Sequence, residues 1–366
     1  GPLTWVLGAY WQKDTYTFPP GQFLIGVPAG FPATEYALQG TNPKKNTAVF
    51  GQVGYQLTDG LKLTVGGRYS KDRTTNHVTV VQYGLPLIDD QSARYSNFSG
   101  KVSLDWTLSE RNFLYAFAAS GYRPGGLNVP VGLGLPDPFK AETVTSLEAG
   151  WKAAWLDDHL RTQVNVFHND YKNFQVTIGY PDFPTFGIEL NTPHPTRIYG
   201  FEAQLQAAFG DWSVYGNLGW LHSDVGEFYA TDPRLPSVAF CDPASGPQSA
   251  TCRNLGGTEQ TYAPKLTFNT GLQRSIHVGS DTITPRINYA HIAGQWATLF
   301  ENEALGDRIG SRNLLGAQLE WSHGSWLTTL YGSNLTNQHY IGAINSGLRF
   351  AGFPRQYGIR ATYFFQ

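Results

Sequence analysis

Few residues in this chain could do chemistry, and they are scattered. Cys241 and Cys252 are the only cysteines, separated by a stretch rich in Pro, Gly and Ser. A metal site there would need more ligands nearby, and the stretch holds neither His nor a further Cys. Nine histidines are spread along the chain, none with the His-x-x-x-His spacing that sets two imidazoles on one helical face. There is no Gly-x-Ser-x-Gly elbow and no glycine-rich phosphate cradle. His222 beside Ser223 is a conceivable base and nucleophile. Catalysis is not the expectation, nor is a bound metal or cofactor. Ligand capture remains. Tyr16, Tyr83, Tyr180, Trp296 and Phe300 are candidates for a stacking surface, with Arg123 and Asn128 as polar partners.

Composition says which elements must position these residues. The 366 residues include 41 Gly and 22 Pro beside 20 Tyr, 22 Phe and 10 Trp, a mixture that favours strands and turns over helices. Charged residues make up 15%, and the formal net charge is -2, so there is no basic footprint for nucleic acid. The apolar runs are far shorter than the roughly 18 to 20 residues that a spanning helix requires. If the chain meets a bilayer, strands take it there. With no Met, and no charged segment followed by an apolar one at its start, it reads as processed or cut.

Period-two alternation recurs along the chain. Leu61, Leu63, Val65, Gly67 and Tyr69 oppose Lys62, Thr64, Gly66, Arg68 and Ser70, and Phe201, Ala203 and Leu205 oppose Glu202, Gln204 and Gln206. This rule yields about fourteen strands: 3–13, 46–57, 61–72, 95–107, 111–122, 140–156, 159–171, 196–209, 212–224, 262–275, 281–292, 309–321, 325–335 and 353–365. Short turns such as Thr58-Asp59-Gly60 and Leu156-Asp157-Asp158 alternate with long connections, at 14–45, 73–94, 123–139, 172–195, 223–261, 293–308 and 336–352. An all-β, transmembrane, antiparallel up-and-down barrel is built this way, with short periplasmic turns and long extracellular loops. Aromatics near strand ends, namely Tyr10, Trp11, Trp106, Trp212, Trp220, Trp321, Trp326, Tyr363 and Phe365, suit the girdles of such a barrel. A soluble β-sandwich is the competing architecture.

Particular segments sharpen the reading. They are Phe50-Gly51-Gln52 with Tyr55-Gln56-Leu57-Thr58-Asp59, and Tyr115 to Tyr122 leading into Arg123-Pro124-Gly125-Gly126-Leu127-Asn128. Further on come Glu142 to Lys152, Tyr199-Gly200-Phe201-Glu202, Asn334 to Tyr340, and Pro354-Arg355-Gln356-Tyr357-Gly358-Ile359. In this order they resemble the C-terminal part of the barrel of TonB-dependent outer-membrane receptors. Gly125-Gly126 is expected to supply positive φ where a strand breaks into its loop. The Asn residues of 334–340 are expected to satisfy local backbone groups. Gln366 departs from the family habit of ending on an aromatic.

The resemblance implies a 22-stranded barrel filled by an N-terminal plug, in the outer membrane of a Gram-negative bacterium. Residues 1–366 then form one barrel domain, with the plug and the first strands not present. The implied activity is energy-coupled uptake of a scarce bulky nutrient, most often a ferric siderophore, with porphyrin, cobalamin and oligosaccharide as other cargoes. The implied partners are an extracellular small-molecule ligand, outer-membrane lipid and the TonB complex, reached through the plug. In that oxidising compartment Cys241 and Cys252 are expected to form a loop disulfide. Lumen-facing Arg68, Arg123, Asn128, Glu202, Arg286 and Glu320 would line the substrate path or touch the plug. A passive 14-stranded channel and a structural barrel that docks a partner protein are the alternatives.

Overall fold

The computed structural model describes residues 1–19, 36–82, 85–130, 137–180, 183–235, 241, 246, 251–345 and 347–365. Fourteen long strands follow one another in a single antiparallel sheet. They are β1 (Leu3–Phe18), β2 (Tyr36–Thr58), β3 (Leu61–Thr75), β4 (Ser92–Ser109), β5 (Asn112–Arg123), β6 (Glu142–Trp155) and β7 (Leu160–Lys172). Next come β8 (Thr196–Phe209), β9 (Trp212–Asp224), β10 (Leu266–Arg274, continued by Ile276–Val278), β11 (Asp281–Ile292), β12 (Arg312–His323), β13 (Trp326–Ser333) and β14 (Gln356–Tyr363). Each pairs with its neighbour in sequence, and among the described residues no pairing joins β1 to β14.

Pairing register aligns the alternation of one strand with that of the next. Leu63 faces Leu104, Val65 faces Val102 and Tyr69 faces Phe98, while Phe201 stands between Val166 and Trp220. The outcome is inside-out relative to a soluble protein. On the apolar face Trp5 is 70% exposed, Leu7 74%, Phe98 68% and Ile359 69%, whereas the polar Thr64, Ser103, Asn165 and Thr329 of the other face are buried. A β-sandwich would pack its apolar face against a second sheet. Here that face is the outer wall.

The strand count agrees with the sequence pattern, but the boundaries move. β1 and β2 run on to Phe18 and back to Tyr36, and the connection after β3 contains a hairpin, His77–Gln82 with Leu85–Asp89, whose first strand extends the β2 edge. Residues 39–47 are mostly polar on both faces, so alternation cannot flag them. Tyr10 is not a girdle residue. Period two sends it to the face opposite Trp11, where the Arg68 guanidinium lies 5.4 Å from its ring centroid.

The apolar core lies in the loops. Phe174, Val176, Ile178, Val225, Phe228, Ala230, Leu255, Leu299 and Phe300 pack together beyond the strand ends, and Leu38, Val78 and Val80 form a second cluster. We expect Val102→Arg, at the middle of the outer wall, to cost about 2 to 4 kcal/mol in a bilayer. Gln52→Arg, on the lumen side, should change stability by less than about 0.5 kcal/mol. Denaturant unfolding of the protein in liposomes reads both.

Candidate ligand cleft at the loop end

β5 delivers Arg123 to the mouth, where it pairs with Glu142 at the start of β6. The chain then turns through Pro124, Gly125 and Gly126, and the two glycines are there for close approach. Neither has the positive φ expected from the sequence. A Cβ on Gly125 would collide with the Phe139 carbonyl and the Tyr95 ring, and one on Gly126 with the Phe139 ring. Without them Gly126 and Phe139 exchange backbone hydrogen bonds of 3.2 and 3.1 Å, and the Tyr95 hydroxyl donates to Phe139 O at 2.8 Å. The crossing is thereby pinned against β4.

Two clefts adjoin this crossing. The first, about 560 Å³, is lined by Tyr16, Lys44, Tyr95, Arg123 and Gln175 among others. The second, about 660 Å³, shares Arg123 and Gln175 and adds Glu189, Arg234, Tyr262 and Phe300. Arg123 Nη2 is 3.6 Å from Glu189 Oε1, and its side chain stays more than half exposed. Gln175 is buried, and its backbone N–H donates to Glu142 Oε2 at 2.7 Å. Its Nε2 donates to the carbonyls of Pro124 and Lys140, both at 3.0 Å, while its Oε1 has no partner among the described residues. One residue with a buried acceptor and one with an exposed guanidinium therefore line both clefts.

The other candidates fall in different places. Tyr16 lies on the lumen face of β1, with Lys44 Nζ 5.8 Å from its ring centroid. Asn128 is buried, and its amide is spent on the backbone of Glu189, donating to O at 2.9 Å and accepting from N at 2.7 Å. It clamps the hairpin Gln175–Tyr180 with Phe183–Asn191 in place. Tyr180 ends the first strand of that hairpin. Phe300 is 4% exposed and belongs to the loop core. Trp296 lines neither cleft and carries the Arg308 guanidinium 4.7 Å from its ring centroid. Tyr83 lies outside the described residues.

Sequence reasoning missed Lys44, Gln175, Glu189 and Arg234. All four fall in the long connections read from the sequence, at 14–45, 172–195 and 223–261, but nothing in their types marked them out. Arg234 is held by two buried carboxylates. Its Nε and Nη2 donate to Asp232 at 2.8 and 2.7 Å, and its Nη2 donates to Asp307 Oδ2 at 3.0 Å. Thr298 Oγ1 and the Asn302 N–H also donate to Asp307, at 2.6 and 2.9 Å. Burial alone would raise the Asp307 carboxyl, but the hydrogen bonds from Arg234, Thr298 and Asn302 outweigh it and hold the group below its ordinary range. Nearby, Cys241 and Cys252 are joined, with Cα atoms 5.8 Å apart, tying the loop to the short pair Tyr229–Thr231 with Cys252–Asn254. His222 and Ser223 point to opposite faces. The ring of His222 lies 5.0 Å from that of Tyr199, while Ser223 Oγ accepts from the Gln260 N–H at 2.8 Å. They cannot act as base and nucleophile.

The family profile described as TonB dependent receptor-like, beta-barrel, matches residues 1–337. This chain belongs to that family. Its members are outer-membrane β-barrel proteins and not enzymes, and the fourteen strands with their apolar outer face fit that architecture. The pesticin receptor of Yersinia pestis is 25% identical over 183 residues, which is 49% of this chain and 26% of that receptor. Among solved structures, the ferric yersiniabactin uptake receptor FyuA from Yersinia pestis superposes with a TM-score of 0.79 at 18% identity, over 99% of this chain and 51% of that one. The copper transporter OprC does so with a TM-score of 0.72 at 13% identity, over 99% and 54%. The chain thus spans about half the length of these solved relatives. At such identities the likeness is one of fold, and it extends to carriers of different cargo.

The Asp307 latch is expected to respond to acid. Its folded-state carboxyl titrates lower than in the unfolded chain, so its contribution is full above about pH 4 and is lost as pH falls through the folded value. Hydrogen-exchange protection of residues 298–307 should therefore drop on acidification below about pH 4. Asp307→Ala should remove about 2 to 3 kcal/mol of that protection at neutral pH.

Proposed function

We propose that these strands are the C-terminal part of an outer-membrane receptor that captures a ferric siderophore at the loop end and passes it inward. The energy would come from the TonB complex of the inner membrane, acting through a plug domain that lies outside residues 1–366. The observation that carries this reading is that exposed Arg123 and Gln175, whose Oε1 has no partner among the described residues, both line two clefts totalling about 1,200 Å³. Lys44 and the Tyr16 ring face the same space. Such a wall suits a bulky ligand with aromatic and anionic groups, because a guanidinium and an ammonium attract carboxylates or phenolates and a ring offers a stacking face. A small bare ion would leave most of this volume unfilled.

The outer edges of β1 and β14, which have no partner strand among the described residues, support the rest of the reading. Unsatisfied strand edges are too costly in hydrocarbon, so further strands of the same receptor are expected to pair with them. A bulky cargo also argues against a passive channel, which would pass it without discrimination. In the complete receptor the plug is expected to suppress steady current in liposomes, whereas a passive channel would give large currents.

Growth on single iron sources tests the assignment. A deletion strain is expected to fail on at least one ferric siderophore that supports its parent. Complementation with the Arg123→Ala receptor should weaken uptake of that radiolabelled chelate about 10- to 100-fold, the effect of removing one charged hydrogen-bond partner. A deletion strain that grows like its parent on every chelate overturns the proposal.

A further inference from the structure

The outer wall carries a hollow that ligand uptake does not use. One outward row across β4 to β8 reads Leu104, Ala116, Ala149, Val166 and Phe201, each opposite the next. In the next row toward the short turns stand Trp106, Leu114 and Trp151. Two methyl groups thus lie side by side among long side chains, and the groove over them holds about 560 Å³. One wall is fixed by hydrogen bonds. Trp151 Nε1 donates to Asn112 Oδ1 at 3.3 Å, and Trp155, edge-on to Trp151 with ring centroids 5.5 Å apart, donates through Nε1 to Thr162 Oγ1 at 2.9 Å. The polar edges of these indoles are spent on the wall itself.

The turns that follow β4 and β6 lie beneath the groove. They carry Glu110, Arg111, Asp157 and Asp158, all exposed. Arg111 Nη2 donates to Asp157 Oδ1 at 3.0 Å, and Arg111 O accepts from the Ala154 N–H at 2.8 Å, so the two turns are joined below the indoles. One guanidinium among three carboxylates can take a phosphate and an ammonium together, and it disfavours a purely anionic group. The side chains that face into the groove are apolar, so polar recognition is confined to these turns. Between acyl chains and an apolar wall there is no hydrophobic drive, and the groove is filled by whatever gains most dispersion contact there. A flexible methylene chain that enters between Trp106 and Trp151 touches the wall on three sides instead of one.

We propose that this groove binds one acyl chain of a glycerophospholipid whose headgroup carries a phosphate and a primary ammonium. Arg111 meets the phosphate, and Asp157 with its acidic neighbours meets the ammonium. This rests on the reading of the strands as membrane-spanning. The complete receptor, purified in detergent and stripped of lipid, is titrated with dioleoyl phosphatidylethanolamine and with dioleoyl phosphatidylglycerol, and bound lipid is read by native mass spectrometry. The ethanolamine lipid should be held about fivefold more tightly, the effect of one charge near the surface. The double variant Ala116→Leu, Ala149→Leu, which fills the groove, should hold it about tenfold more weakly through the loss of roughly ten close carbon contacts. Ala361→Leu, outward on β14, should hold it as the unaltered protein does. Heat-modifiable gel mobility checks that both variants are folded.

Equal retention of the two lipids overturns the proposal, and that comparison uses the unaltered protein, so it decides even if a variant does not fold. Undiminished retention by the folded double variant overturns it too. Either result leaves the membrane reading intact. A lipid-free pair of chains that the double variant separates would show a second copy seated in the groove, and would also overturn the lipid site. If neither lipid is held and the protein stays monodisperse in buffer without detergent, the membrane reading itself fails.

Discussion

Hydrocarbon offers no hydrogen bonds, so each backbone N–H and C=O at the level of the apolar wall has to be met by a neighbouring strand. That requirement explains why the sheet is a meander. Consecutive strands pair with one another from β1 to β14, and the turns at one end are as short as Thr58 to Leu61 and Phe209 to Trp212 allow. Once pairing is complete, period two divides the side chains into two sets that share no face. Leu63, Leu104 and Val102 go to the outer wall, while Thr64, Ser103 and Lys101 go to the opposite face. Stability at this level comes from backbone pairing, with no buried apolar core among these residues.

Beyond the strand ends the solvent changes, and so does the construction. In water the long connections must pack, and they do so around Phe174, Phe228, Leu255 and Phe300. Polar clamps complete the packing: Asn128 imitates a strand neighbour for Glu189, and Arg234 joins Asp232 to Asp307. The clefts are spaces that these packed loops leave between themselves and the strand ends. Their position at the mouth follows from the fold, but their chemistry depends on which loop side chains remain unspent after packing. Arg123 and Gln175 are such remainders, and Asn128 and Phe300 are not.

The outer wall obeys a related rule. Its composition changes from aromatic and aliphatic to cationic above Trp11 and Tyr69. The same alternation carries both the apolar band and the charged rim along strands such as β1 and β3.

Strand number, strand order and the separation into an apolar outer set and a polar inner set were legible in the sequence, because period two and turn chemistry are local and each strand records them independently. The final motif, Asn334 to Tyr340, was legible for the same reason: Asn334 and Asn337 adopt positive φ and bond the backbone around them. Where both faces meet water the alternation vanishes, so the extensions of β1 and β2 were read as loop. The register of loop against loop is not local at all. Nothing near Gln175 in the chain announces Pro124 and Lys140, and nothing near Asp307 announces Arg234, because those contacts form only when hairpins distant in sequence fold over a common mouth. The sequence by itself determined the wall, since each strand's surroundings are written in its own residues. Only the tertiary structure decided the cleft, since its walls come from segments that meet nowhere else.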